Sequence, residues 1–156
     1  MSAHVPDFRE PSRVERIFNK VFGLFVGLGL APSYTYLVQV RGRKTGRVYA
    51  APVNLLEMAG RRFLVAPRGR TQWVRNAEAA GEVTLERGSS RRRFRIRAVP
   101  SEDKPEILKT YLDRFKLGVQ RYFPVPAGSD ARAFGEIADR YPVFELLPPS
   151  ETPSPR

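Results

Sequence analysis

The sequence predicts an α+β chain centred on a small antiparallel β-barrel. Three observations predict it. Short runs rich in β-branched and aromatic residues follow one another closely, and glycine turns separate them. Helical periodicity is confined to the two ends and to one short segment after the third run. A doubly wound sheet is excluded, because the βαβ spacing is missing and no GxGxxG turn opens a helix.

Residues 1–11 carry mixed charges, prolines and no cleavable leader pattern, so a flexible tail is expected there. Residues 12–30 read as a helix, with Ser12 and Glu15 in capping-box register and Val14, Ile17, Phe18, Val21, Phe22 and Phe25 at helical spacing. That helix suits packing on the domain, or resting on an anionic membrane with Arg13, Arg16 and Lys20 toward the headgroups. Strands are expected at Tyr34–Arg41, Arg47–Met58 and Arg61–Ala66, with a turn at Ala59–Gly60. Thr71 N-caps a short helix that Gly81 ends. A hairpin around Gly88 follows. On its second strand Arg91, Arg93, Arg95 and Arg97 share one face, and Phe94, Ile96 and Ala98 share the other. Ser101 caps a helix whose stripe is Ile107, Leu108, Tyr111, Leu112 and Phe115. The run GVQRYFPVPAGSD reads as an irregular loop, ARAFGEIADR as a short helix and YPVFELLP as the last strand. Residues 149–156 are Pro/Ser-rich, and a disordered tail is expected. One domain over residues 12–148 accounts for the rest.

Composition narrows function. The chain has 156 residues, 42% of them hydrophobic, enough for one real core. Its net charge is +11, which implies an anionic partner: nucleic acid, an acidic membrane or a phosphorylated small molecule. Cysteine is absent and His4 is the single histidine. Disulfides, thiol nucleophiles, Ser-His-Asp catalysis and zinc sites have no ligands to draw on. An enzyme of this composition takes its reactive centre from a bound cofactor. The cytoplasm is the expected compartment, with membrane association through the first helix as the alternative.

The turn RGRKTGR concentrates the chemistry. Arg43, Lys44, Thr45 and Arg47 around Gly42 and Gly46 offer guanidinium forks, an ammonium and backbone N–H groups, donors suited to phosphate or carboxylate oxygens. The plain alternative is a solvated hairpin tip. It is no Walker A loop, since GxxxxGK[ST] is absent. Arg68 and Gly69 follow the third strand, and Trp73, Arg75 and Asn76 lie just beyond. Two basic loops and an indole converging on one cleft suit a planar ring with an anionic tail. Core packing is the alternative for Trp73.

The segments RGRKTGR, AAPVNLL, GRRFLVAPRG and TQWVRNAEAAGEVTLERG resemble the deazaflavin-dependent nitroreductase and quinone reductase family, over about Phe18 to Leu147. The resemblance implies a split β-barrel of the flavin-reductase, PNPOx-like type that uses coenzyme F420. It implies that Arg43, Lys44, Thr45 and Arg47 bind the cofactor's phosphate and polyglutamate tail. Pro52 and Val53 match the strand beside the deazaflavin ring, Ala66, Pro67, Arg68 and Gly69 a second cofactor-binding stretch, and Trp73 and Asn76 the tryptophan-x-x-asparagine segment. Pro67 stands where serine is common, Val74 where tyrosine is frequent, and the loop from Gly69 to Trp73 is short. The implied reaction passes a hydride to an electron-poor quinone, nitroaromatic or enone, with the proton from solvent or from Tyr122. Covering the core is the plain alternative for Tyr122.

Two other classes compete. An FMN- or haem-binding split barrel would use the basic loop for a single phosphate, and without an ordered histidine a haem ligand is not expected. A nucleic-acid barrel would use RRRFRIR, although a solvated sheet face explains that row and no nucleic acid is expected. The implied partner is a small-molecule electron acceptor, with peripheral membrane contact and a homodimer as open additions.

Overall fold

The computed structural model describes residues 32–149. The expected first helix at 12–30, both tails save Pro149, and His4 lie outside the described residues. Six strands form a closed barrel in the order β1-β2-β3-β6-β5-β4, with every pair antiparallel. They are β1 Thr35–Arg41, β2 Val48–Met58, β3 Arg61–Val65, β4 Glu82–Arg87, β5 Ser90–Ala98 and β6 Val143–Leu147. Helix α1 spans Gln72–Ala80 and α2 spans Lys104–Val119. The expected strands hold, each trimmed at one end: Tyr34, Arg47 and Ala66 fall just outside.

Alternation places the core. On β2, Val53 and Leu55 enter the barrel, where they meet Val38, Leu64 and Phe144. Leu56, one residue on, turns outward beneath α2 with Phe63, Leu108 and Tyr111. The stripe expected on α2 is buried throughout. On β5 the four arginines are exposed and Phe94 is buried, as alternation requires, while Ala98 is exposed where the strand leaves the barrel.

The expectations around α2 need correction. Ser101 does not cap it: Ser101–Asp103 form a 3-10 turn, and the Ser101 hydroxyl donates to Asp139 instead. The run GVQRYFPVPAGSD is not an irregular loop at its start. It continues the helix through Val119, past a non-helical Phe115, and then makes a 3-10 turn at Gln120–Tyr122. The segment ARAFGEIADR forms two 3-10 turns, Ala131–Phe134 and Ala138–Arg140, because Phe134 and Ala138 both have to reach the core under α2.

One feature of β2 positions the site. Its residues 48–54 pair with β1, and its residues 55–58 pair with β3. Among the described residues no strand covers the second edge of the first half. Leu55 N–H donates to the Tyr34 carbonyl at 2.8 Å, so odd-numbered residues point their N–H groups toward β1. Even-numbered residues then point theirs to the open edge, and Pro52, which has no N–H, costs the ladder nothing there.

Candidate functional site

The basic turn closes β1 onto β2 at one end of the barrel. Gly42 N–H donates to the Arg47 carbonyl at 2.6 Å, and Gly46 N–H donates to the Gly42 carbonyl at 3.0 Å. Gly46 has φ +71°, the left-handed region that favours glycine. Gly42 is needed for another reason. A Cβ there would stand 2.6 Å from the Tyr49 ring and 3.1 Å from the Arg47 carbonyl oxygen. Inside the turn Arg47 N–H donates to the Thr45 hydroxyl at 3.2 Å, and Thr45 and Tyr49 hydroxyls meet at 3.4 Å. The side chains of Arg43, Lys44, Thr45 and Arg47 are all exposed.

Helix α1 holds this turn from the side. Arg43 N–H donates to Asn76 Oδ1 at 3.1 Å, and Arg43 Nη1 donates to the same oxygen at 2.7 Å. Gln72 Oε1 accepts from Arg43 Nη1 at 3.0 Å. Asn76 is therefore at the site, with its oxygen taken by the turn. Sequence reasoning missed Gln72, although its i, i+4 spacing from Asn76 puts both on one helical face. It also missed Tyr49, whose ring covers Gly42.

The second stretch leads into α1 and so reaches the same end of the barrel. Ala66 is buried, and its N–H donates to the Pro142 carbonyl at 2.9 Å. Pro67 is half-buried and Arg68 exposed. Gly69 has φ +81° and closes a turn back to Ala66. Thr71 takes the N-cap position with extended backbone, yet its hydroxyl makes no cap bond and is buried without a partner, which corrects the capping expected of it. Arg70 is tied to Glu78 by two hydrogen bonds at 3.1 and 2.9 Å. Trp73 is half-buried and meets Phe144 edge-on at 6.1 Å, so it packs on the barrel interior.

On β2 the side chains diverge. Pro52 is exposed, whereas Val53 is 7% exposed inside the barrel with its backbone N–H turned toward β1, so the structure does not present Val53 to a ligand at the open edge. Val48 and Tyr49, 61% and 38% exposed, lie on opposite faces of the strand next to the turn. Tyr122 stands apart from the basic loops, half-buried against the cluster under α2. Arg121 lies over its ring at 4.8 Å, and its carbonyl accepts from the Tyr141 hydroxyl at 2.6 Å. Tyr122 is close enough to Tyr111 to influence its ionisation, and the Asn54 side chain meets the Tyr111 hydroxyl. Burial pushes the Tyr111 phenol well above its usual range, so it stays protonated.

The donor set at this end fits an anionic group: exposed cations on a tightly hydrogen-bonded turn, a second basic loop at the same end, and a strand edge that no strand covers among the described residues. Among the described residues no group of three His, Cys, Asp or Glu could hold a metal ion, and no helix is long and apolar enough to cross a membrane.

Comparison with known proteins points the same way. The family model described as F420H(2)-dependent quinone reductase matches residues 12–122. No curated protein matches the chain. Among solved structures, a protein titled F420-H2 dependent reductase (FDR-A) is 18% identical with a TM-score of 0.50, over 72% of this chain and 93% of that one. HutZ, a haem storage protein from Vibrio cholerae, is 10% identical with a TM-score of 0.54, over 76% and 83%. Atu2129 from Agrobacterium tumefaciens is 20% identical with a TM-score of 0.50; 72% of this chain aligns, spanning only 47% of that protein. These likenesses identify the fold as a split barrel. The family match gives the FMN alternative no support.

Proposed function

Since the chain belongs to the F420H(2)-dependent quinone reductase family, we propose that its own reaction is reduction of a quinone, with the barrel end built from the basic turn, the Arg68 loop and α1 as the cofactor seat. The observation that carries this reading is the turn itself, a hydrogen-bonded frame presenting cations beside the open half of β2. Lys44, Arg47 and Arg68 would hold the phosphate and glutamyl tail, with Arg43 beside them and the Thr45 hydroxyl fixing the turn. Ala66, Pro67 and Gly69 shape the adjoining loop, and Trp73 backs it from the barrel interior.

Reduced coenzyme F420, when bound, supplies a hydride to the quinone, and a proton completes the quinol. The open edge of β2 would offer the Pro52 carbonyl and the N–H groups of its even-numbered neighbours Ala50 and Asn54 for orienting a flat ring, with Val53 in the barrel wall behind them. Tyr122 is the proposed proton donor. Its support is its place beside Tyr111, whose hydroxyl meets Asn54 one residue past Val53. Nitroaromatics and enones are proposed as further acceptors. A cytoplasmic enzyme, peripheral membrane contact through residues 12–30 and a homodimer covering the open β2 edge belong to the same proposal.

The test is a fluorescence titration of purified protein with coenzyme F420, with FMN in parallel, followed by turnover with quinone, nitroaromatic and enone acceptors. Saturable binding of F420 and quinone turnover support the reading. Binding of FMN alone, or of neither, overturns it.

A further inference from the structure

The resemblance gave Asn76 a cofactor-binding place, but its geometry gives it a different task. Asn76 is 4% exposed, and its oxygen receives two donors from Arg43, the backbone N–H at 3.1 Å and Nη1 at 2.7 Å. Gln72, one helical turn earlier, accepts Nη1 at 3.0 Å. Both acceptors are neutral amides, so no carboxylate pairs with Arg43 in these contacts while its position is fixed. The other side of the turn is fixed as well, by Gly42 under the Tyr49 ring and by the Thr45 hydroxyl on Arg47 N–H. Without such anchors a six-residue run rich in long cationic side chains would have to be ordered by the ligand, at a cost to affinity.

We propose that Asn76 is a positioning residue: with Gln72 it clamps the basic turn to α1 through Arg43, so that the turn stands ordered before the anionic tail arrives. The clamp deepens the proposed function and rests on it for the identity of the ligand. Asn76 acts on the cofactor through the turn, and its loss is felt by the tail and not by the ring.

The variants Asn76→Ala, Asn76→Asp and Gln72→Ala separate these roles. Amide hydrogen exchange at Arg43 reads the clamp directly, with no cofactor present. Titrations with coenzyme F420 and with the deazaflavin fragment lacking phosphate and glutamates read its consequence. We expect Asn76→Ala to speed exchange at Arg43 and weaken F420 binding about tenfold, the scale of a lost charge-assisted hydrogen bond, with fragment binding unchanged. Asn76→Asp keeps the acceptor and restores slow exchange at Arg43, while its negative charge beside Arg43 leaves F420 binding weak and fragment binding unchanged. Gln72→Ala, at an exposed position that leaves the fold intact, shows a smaller loss of the same kind. Unchanged Arg43 exchange in Asn76→Ala overturns the clamp. Equal loss of F420 and fragment overturns the positioning role in favour of direct ring contact. If the wild type binds neither molecule the proposed function fails, and exchange at Arg43 alone then decides the clamp.

Discussion

Glu145 offers a test of the barrel that does not depend on the cofactor. It lies on β6 opposite Phe63 of β3 and Arg97 of β5. Arg61 donates from Nε and Nη2 to its two oxygens at 2.7 and 2.9 Å, and Arg97 joins from the other side. The Glu145 side chain is 7% exposed, against 52% for Arg61. The hydrogen bonds from Arg61, and then from Arg97, outweigh burial and pull the carboxyl from 4.5 down to about 2. At about 1.4 kcal/mol per unit that gap corresponds to about 3 kcal/mol, and solvent screening at the half-exposed arginines brings it to about 2 kcal/mol. The depressed folded value fixes the sign. The stabilisation is fully present above the unfolded value of 4.5 and is lost as pH falls through about 2. Glu145→Gln is therefore expected to lose about 2 kcal/mol in urea unfolding at pH 7, and under half of that at pH 3. A deficit of the same size at both pH values would refute the electrostatic account and leave altered packing as the cause.

Four more outcomes are expected. Gly42→Ala pushes a methyl into the Tyr49 ring, so F420 affinity should fall several-fold in a fluorescence titration while the melting temperature moves by only a few degrees; unchanged affinity would show that the turn tolerates the shift. Lys44→Ala with Arg47→Ala should weaken F420 binding about tenfold or more and flatten its salt dependence, measured by titration at two ionic strengths, with the fold intact because exposed loop residues contribute little to stability. Leu108→Ala, at a site with 0% exposure under α2, should cost about 2–5 kcal/mol in denaturant unfolding without changing F420 affinity per folded molecule. Tyr122→Phe should lower kcat and leave cofactor affinity alone; an unchanged kcat assigns the proton to solvent.

The local grammar of the chain was readable because each strand carries its own alternation and each turn its own glycine. Gly46, Gly60, Gly81 and Gly88 all take the positive φ that their turns demand. The capping expectations failed for a physical reason. A Ser or Thr hydroxyl is free to choose any acceptor in reach, and at Ser101 a distant residue, Asp139, wins it. At Thr71 the hydroxyl is buried without a partner. The change of partner along β2 was equally illegible. Nothing within VYAAPVNLLEM says that, among the described residues, 48–54 pair with β1 and 55–58 with β3, since that depends on where β3 ends.

Asn76 shows where motif and mechanism separate. A spacing pattern can place a residue beside a turn, and the structure does put Asn76 of the tryptophan-x-x-asparagine segment against the basic turn. The spacing cannot say whether the amide faces the ligand or the protein. Only the hydrogen bonds do, and here both go to Arg43. The consequence reaches the turn as a whole. Under the proposed function Arg43 sets the shape of the turn, the anion-binding work would fall on cations whose positions that shape determines, and α1, reached through the Gly69 turn, would be a working part of the loop it supports.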